Sequence, residues 1–101
     1  MEKQKPHHDL AAFKRSFSAA DTRRVTRTAL RDAQGLGLTL AGMVEVVQGM
    51  RAAHFYKSMT ALHDHSAWQD VYHVPFGELV LYVKFTGDRL IGFLLLSFKE
   101  R

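Results

Sequence analysis

The chain has 101 residues, 47% hydrophobic and 24% charged, with no cysteine and a formal net charge of +4 at pH 7. That composition suits a single compact domain spanning 1–101 and excludes disulfides, thiolate metal sites and a disordered chain. The longest apolar run, residues 90–98, is well short of the roughly 18–20 residues that cross a bilayer.

Residues 1–6 lead into no apolar signal segment, so a cytoplasmic protein without a membrane partner is expected. The basic excess lies in the first half. Residues 1–51 carry nine Lys/Arg against five Asp/Glu, and residues 52–101 carry five against five. Such a balance favours a polyanionic or acidic partner without saying which.

The first half reads as helix. From His8 to Ala19, Leu10, Phe13 and Phe17 recur at helical spacing. Asp21 is the expected N-cap of a second helix, Thr22 to Gln34, with Gly35 as its left-handed stop. Val25, Ala29 and Leu30 then face inward, while Arg23, Arg27 and Arg31 recur every four residues as a basic ridge. Thr39 is expected to cap a third, short helix carrying Leu40, Met43, Val44 and Val47.

The second half changes to a period of two. Phe55, Lys57 and Met59 are expected on one face of a strand, with Tyr56, Ser58 and Thr60 on the other. Trp68 to His73 is a second strand, ended by Pro75 and Gly77. In Glu78 to Thr86, Leu79, Leu81, Val83 and Phe85 alternate with Glu78, Val80, Tyr82 and Lys84. Gly87-Asp88 signals a turn, and Leu90 to Phe98 is the return strand. Helices followed by strands predict an α+β domain, with the N-terminal helices packed on one face of an antiparallel sheet.

The residues on those strands suit one kind of chemistry. Metal-free cleavage of RNA needs a base for the ribose 2′-hydroxyl, positive charge at the phosphorane and a proton for the leaving 5′-oxygen. Lysine, tyrosine, histidine and glutamine can fill those roles without a carboxylate pair. Lys57 occupies a face otherwise lined by Phe55 and Met59, where it is either a base with altered proton affinity or a phosphate clamp. Its plainer role is a stem lying along the sheet with its ammonium in water. Tyr82 and Lys84, two residues apart, share a face and can meet one ligand; Lys99 joins them if the last two strands form a hairpin. Tyr82 also reads as a packing residue, and Trp68 as a core or sheet-packing aromatic. His63-Asp64-His65 lacks the further ligands a metal site needs, so neither a metal nor another cofactor is expected. His7-His8 reads as a helix start or an RNA contact.

Several blocks together carry a family resemblance: Met1-Glu2-Lys3 with Pro6-His7, Gly42-Met43, Phe55 to Thr60, Asp64-His65, Trp68 to Tyr72, Tyr82, and Ser97 to Glu100. Across nearly its whole length the chain resembles the MqsR toxins of bacterial type II toxin–antitoxin systems, which are messenger-RNA endoribonucleases. The resemblance implies a RelE-like fold and metal-independent cleavage of mRNA at short GC-containing sequences. It implies catalytic positions at Lys57, Gln69, Tyr82 and Lys99, with Tyr56, Met59 and His7 beside them. Under it, Lys57 or Tyr82 acts as base or acid, Lys99 stabilises the phosphorane, and Gln69 orients phosphate or a base edge. It also implies a protein antitoxin, MqsA-like, joining a zinc-binding domain to a helix-turn-helix DNA-binding domain.

One position departs from the family pattern. The residue after Asp70-Val71-Tyr72 is usually arginine there, and here it is His73. A bidentate phosphate clamp gives way to a titratable imidazole that can still contact RNA. Residues 74–77 depart too, so a sequence preference does not carry over. The competing reading is a non-catalytic basic module that holds RNA or DNA, or a degenerate toxin that binds only its antitoxin. Convergence of Lys57, Gln69, Tyr82 and Lys99 in space would favour the enzyme.

Overall fold

The computed structural model describes residues 1–101. Three helices, α1 (Leu10–Ser18), α2 (Arg27–Gly35) and α3 (Leu40–Gln48), lie on one face of a five-stranded sheet. The strands are β1 (Glu2–Lys3), β2 (Phe55–Ala61), β3 (Asp64–Phe76), β4 (Leu79–Asp88) and β5 (Gly92–Glu100). They neighbour one another in that order, and every pairing is antiparallel. The α+β class and the helix-on-sheet arrangement therefore stand, as a RelE-like fold requires.

Each helix begins at a side chain that accepts from an otherwise unpaired backbone N–H: Asp9 for α1, Thr26 for α2 and Thr39 for α3. For α2 this corrects the sequence expectation. Asp21 does not cap it; the helix starts five residues later than Thr22. Residues 24–26 instead run along the free edge of β5, with Thr26 N–H donating to Leu95 O and Leu95 N–H to Arg24 O. Those bonds cover an edge that would otherwise present unpaired groups. The stop is also displaced. Gly37 has φ +83°, while Leu38 N–H reaches Ala33 O and Gly37 N–H reaches Gln34 O. That pair of bonds closes the helix around a left-handed residue, a conformation that favours glycine.

Two of the sheet's three register slips decide which side chains face the site. The register slips between Phe55 and Lys57, because Phe55 pairs with Tyr72 and Lys57 with Val71. Phe55 consequently turns toward the helices against Tyr72, while Tyr56 stacks on His73 on the opposite face. The expected alternation, with Phe55 beside Lys57 and Tyr56 opposite, is broken; a bulge places Tyr56, Lys57 and Met59 together. A second slip beyond Lys84 sets Leu95 and Phe98, three residues apart, both inside the core.

Pro75 does not end β3, which runs on to Phe76. Beyond Tyr72 no strand pairs on the β2 side, so a missing N–H is tolerated there. Gly87 and Asp88 belong to β4, and the turn falls at residues 89–91, its amides at Leu90 and Ile91 bound by Asp88. Glycine is needed at 87 for a different reason: a Cβ there would come within 3.0 Å of the His8 and Phe93 rings.

Fifteen buried residues fill the space between helices and sheet. At the centre the Phe13 and Phe85 rings stack 3.8 Å apart, 3° from parallel. Burying each such ring contributes roughly 1.5–3 kcal/mol. Asp70 is fully buried at the margin of this core, where it accepts from His7 N–H, His8 N–H and the Ser58 hydroxyl. It thereby fastens the segment between β1 and α1 to the sheet. No helix is long and apolar enough to cross a membrane.

Candidate active site

The helices cover one face of the sheet and leave the other open, and cross-strand pairing sorts the open-face residues into three adjacent rows. One row runs His73, Tyr82, Lys99, with Tyr56 stacked on His73 at 4.1 Å. The next runs Lys57, Val71, Lys84, Ser97, and the third Met59, Gln69, Thr86, Leu94. Directly paired side chains stand about 4.5–5.5 Å apart at Cβ. Val71 is fully buried beneath its neighbours and floors the middle row.

Three lysines, two tyrosines and a histidine thus share one surface. Lys99 Nζ lies 5.4 Å from the Tyr82 ring centroid, and Lys57 Nζ lies 5.4 Å from that of Tyr56. Lys57 also forms the protein's single salt bridge, 2.8 Å to the Glu2 carboxylate. Register explains the contact: Glu2 pairs with Met59, so it falls on the open face beside Lys57.

The electrostatics differ residue by residue. The hydrogen bond that its ammonium donates to Glu2 holds Lys57 above its ordinary pKa, so this lysine keeps its proton. Burial, with help from nearby Lys99, pushes Lys84 below its ordinary value. Burial raises the Tyr82 hydroxyl against the opposing pull of Lys57, leaving a neutral phenol at neutral pH. Burial and then Arg101 lower His73, so its imidazole is uncharged at neutral pH.

Of the residues singled out from sequence, the open face brings together Lys57, Tyr82, Lys99, Tyr56, His73 and Lys84. Gln69 and Met59 share that face at its far end. Gln69 is one row from Lys57 but four residues of strand, about 13 Å, from the Tyr82 row. His7 lies elsewhere. Its ring stacks on Trp68 at 5.3 Å on the helix side of the sheet, with Lys3 Nζ 4.2 Å from the indole centroid.

The arginine ridge is not formed. Arg23 precedes α2 and is spent on the carbonyls of Phe17 and Ser18. Only Arg27 and Arg31 stand on α2, on the helix layer rather than the lysine face. Two residues carried no assigned role in the sequence reading, Glu2 and Asp70. A two-residue strand has no periodicity to announce Glu2. Asp70 did carry a signal, as an acid in phase with Tyr72 and Val74 on the core-facing side of the strand.

None of the cavities includes Lys57, Tyr82 or Lys99; the largest, about 480 Å³, opens between α1 and the residues after α3. An open charged face suits a polymer laid across it better than a small molecule enclosed by it.

A profile of the family described as "Motility quorum-sensing regulator, toxin of MqsA" matches residues 5–100. The chain belongs to that family. A relative in Escherichia coli (strain K12), the mRNA interferase toxin MqsR, is 42% identical over 101 residues and covers the whole of both chains. The family resemblance drawn from residues 55–60, 68–72 and 97–100 therefore holds. The match spans all five strands apart from β1, which lies outside the profile but within the alignment to the relative.

Proposed function

We propose that this chain is an mRNA interferase toxin whose open sheet face cleaves RNA by attack of a ribose 2′-hydroxyl on the adjacent phosphorus. The observation that carries the proposal is the three-lysine cluster around Tyr82, on a member of a toxin family whose relative is an mRNA interferase.

Lys57 keeps its proton and serves as a phosphate clamp rather than a base. Lys99, against the Tyr82 ring, adds positive charge where the phosphorane becomes dianionic. Tyr82, neutral at neutral pH, is the acid that protonates the departing 5′-oxygen, and the proton of the attacking 2′-hydroxyl passes to solvent water on the open face. Gln69, at the far end of the face, contacts a neighbouring nucleotide rather than the scissile group. His73 with stacked Tyr56 forms a ring platform for a base.

The reaction needs no metal and takes place in the cytoplasm. A protein antitoxin of the MqsA type, with zinc-binding and helix-turn-helix domains, neutralises it.

The test is incubation of the purified protein with a defined mRNA in EDTA, followed by mapping of fragment ends. Discrete cuts with 2′,3′-cyclic or 3′-phosphate and 5′-hydroxyl termini are expected. No cleavage above a folded Lys57→Ala control would favour the non-catalytic binding module or a toxin that has lost activity.

A further inference from the structure

We propose that Glu2, delivered by the two-residue strand β1, is a positioning residue of the RNA-cleaving face that fixes the Lys57 ammonium for phosphate. The inference rests on the reading of that face given above.

Its first support is geometric. Glu2 Oε2 lies 2.8 Å from Lys57 Nζ, with the lysine side chain 22% exposed and the carboxylate 54% exposed. An ammonium has three donors, so this bond leaves two for a phosphate and need not break when RNA arrives. Without it, a flexible four-carbon stem has no acceptor to hold it.

The second support is the construction of the strand that carries Glu2. Two residues paired only to Met59 and Ser58 make a weak edge by themselves. Yet the segment is fastened on both sides of that pairing. Thr60 N–H donates to Met1 O, and Lys3 bonds the His7 ring while lying over Trp68. Buried Asp70 grips the His7 and His8 amides. These contacts hold β1 in register from the helix side and so fix Glu2 on the other. The carboxylate also favours the charged form of Lys57, as Tyr56 on its own strand and Tyr82 across the sheet do to a smaller extent.

A carboxylate among lysines repels an incoming phosphodiester, so its value lies in orientation rather than in ground-state binding. That separates the two quantities an experiment can read. Single-turnover cleavage of RNA and the affinity for an uncleavable 2′-deoxy analogue are measured for wild type, Glu2→Ala, Glu2→Gln and Lys57→Ala. Glu2→Ala should cleave roughly ten- to a hundred-fold more slowly, as misplacing a reacting group does. Its affinity for the 2′-deoxy analogue should hold or tighten. Glu2→Gln, which keeps an acceptor oxygen, should recover most of the rate.

Equal loss in both Glu2 variants would make the carboxylate a proton acceptor and overturn the proposal. So would wild-type or faster cleavage by both, which would make Glu2 a brake. If Lys57→Ala alone is inactive while the Glu2 variants are normal, only this inference fails. If Lys57→Ala cleaves normally, the reading of the whole face fails with it.

Discussion

The two faces of this sheet are made from the same strands and alternate residues, yet they do opposite work. Toward the helices stand Tyr72, Val74, Leu81, Val83, Phe85 and Phe98, all buried, with Asp70 satisfied by three hydrogen-bond donors. Away from them stand Lys57, His73, Tyr82, Lys84 and Lys99, whose charges are balanced locally by one carboxylate, Glu2. On the covered face no fully buried side-chain nitrogen or oxygen lacks a hydrogen-bond partner. On the open face two ammonium groups have no acidic partner. A protein gathers unpaired like charges at some cost to stability and recovers that cost when a polyanion binds. Under the proposed function, stability belongs to one side and chemistry to the other.

Replacement of Phe13 by alanine should break the covered face most severely. Removing a ring stacked on Phe85 costs about 3–5 kcal/mol, read as a shift in urea midpoint, out of a total typically about 5–15 kcal/mol. Cleavage per folded molecule should stay unchanged.

The mirror experiment is Tyr82→Phe, which keeps the ring and removes the acid. Cleavage should fall on the order of a hundred- to a thousand-fold while the melting temperature moves little. A large stability loss would mean that Tyr82 belongs to the core after all.

Binding can be divided in the same way. Neutralising Lys84 should reduce the slope of log affinity against log salt for single-stranded RNA by about 0.7, one phosphate's share. Neutralising Arg27 and Arg31 together should leave the slope as it is, because α2 lies on the covered side.

Thr26→Ala should cost about 1 kcal/mol in chemical denaturation. The variant loses both the cap at Ala29 and the bond to Leu96 O.

The smallest effect concerns pH. With its folded pKa below the ordinary value near 6.5, His73 is neutral at pH 7 and charges only as pH falls beneath that value. RNA binding should therefore tighten only in mildly acidic solution, and His73→Arg should abolish that dependence. The stability sign is opposite. A depressed folded pKa means the unfolded chain binds the proton more readily, so the contribution is present above pH 6.5 and declines as pH falls through the folded value. A titration of binding that is flat from pH 5 to 8 in wild type would remove His73 from the RNA contact.

Much of this division is legible in the sequence. Phe13 and Phe17 recur at helical spacing, and Leu81, Val83 and Phe85 alternate with Tyr82 and Lys84, because burial imposes those periods locally. Features that depend on long-range pairing are not legible. Asp21 and Thr26 are both competent caps; Thr26 prevails because its segment is also bonded to the edge of β5. The bulge at Tyr56 inverts the facing of Phe55 and has no mark in a period-two pattern. Lys57, Tyr82 and Lys99 were recognisable by chemistry and by family resemblance, but the rows joining them to Lys84 follow from register. Glu2 is joined to Lys57 across 55 positions by a strand of two residues, too short to show in any pattern.

The most direct test of the division between faces is a ¹⁵N-labelled chemical-shift titration with an uncleavable 2′-deoxy oligonucleotide. Perturbations should centre on Tyr56, Lys57, His73, Tyr82, Lys84 and Lys99, with Arg27, Arg31 and the α2 amides silent. Perturbations centred on α2, with the lysine rows unmoved, would contradict that division.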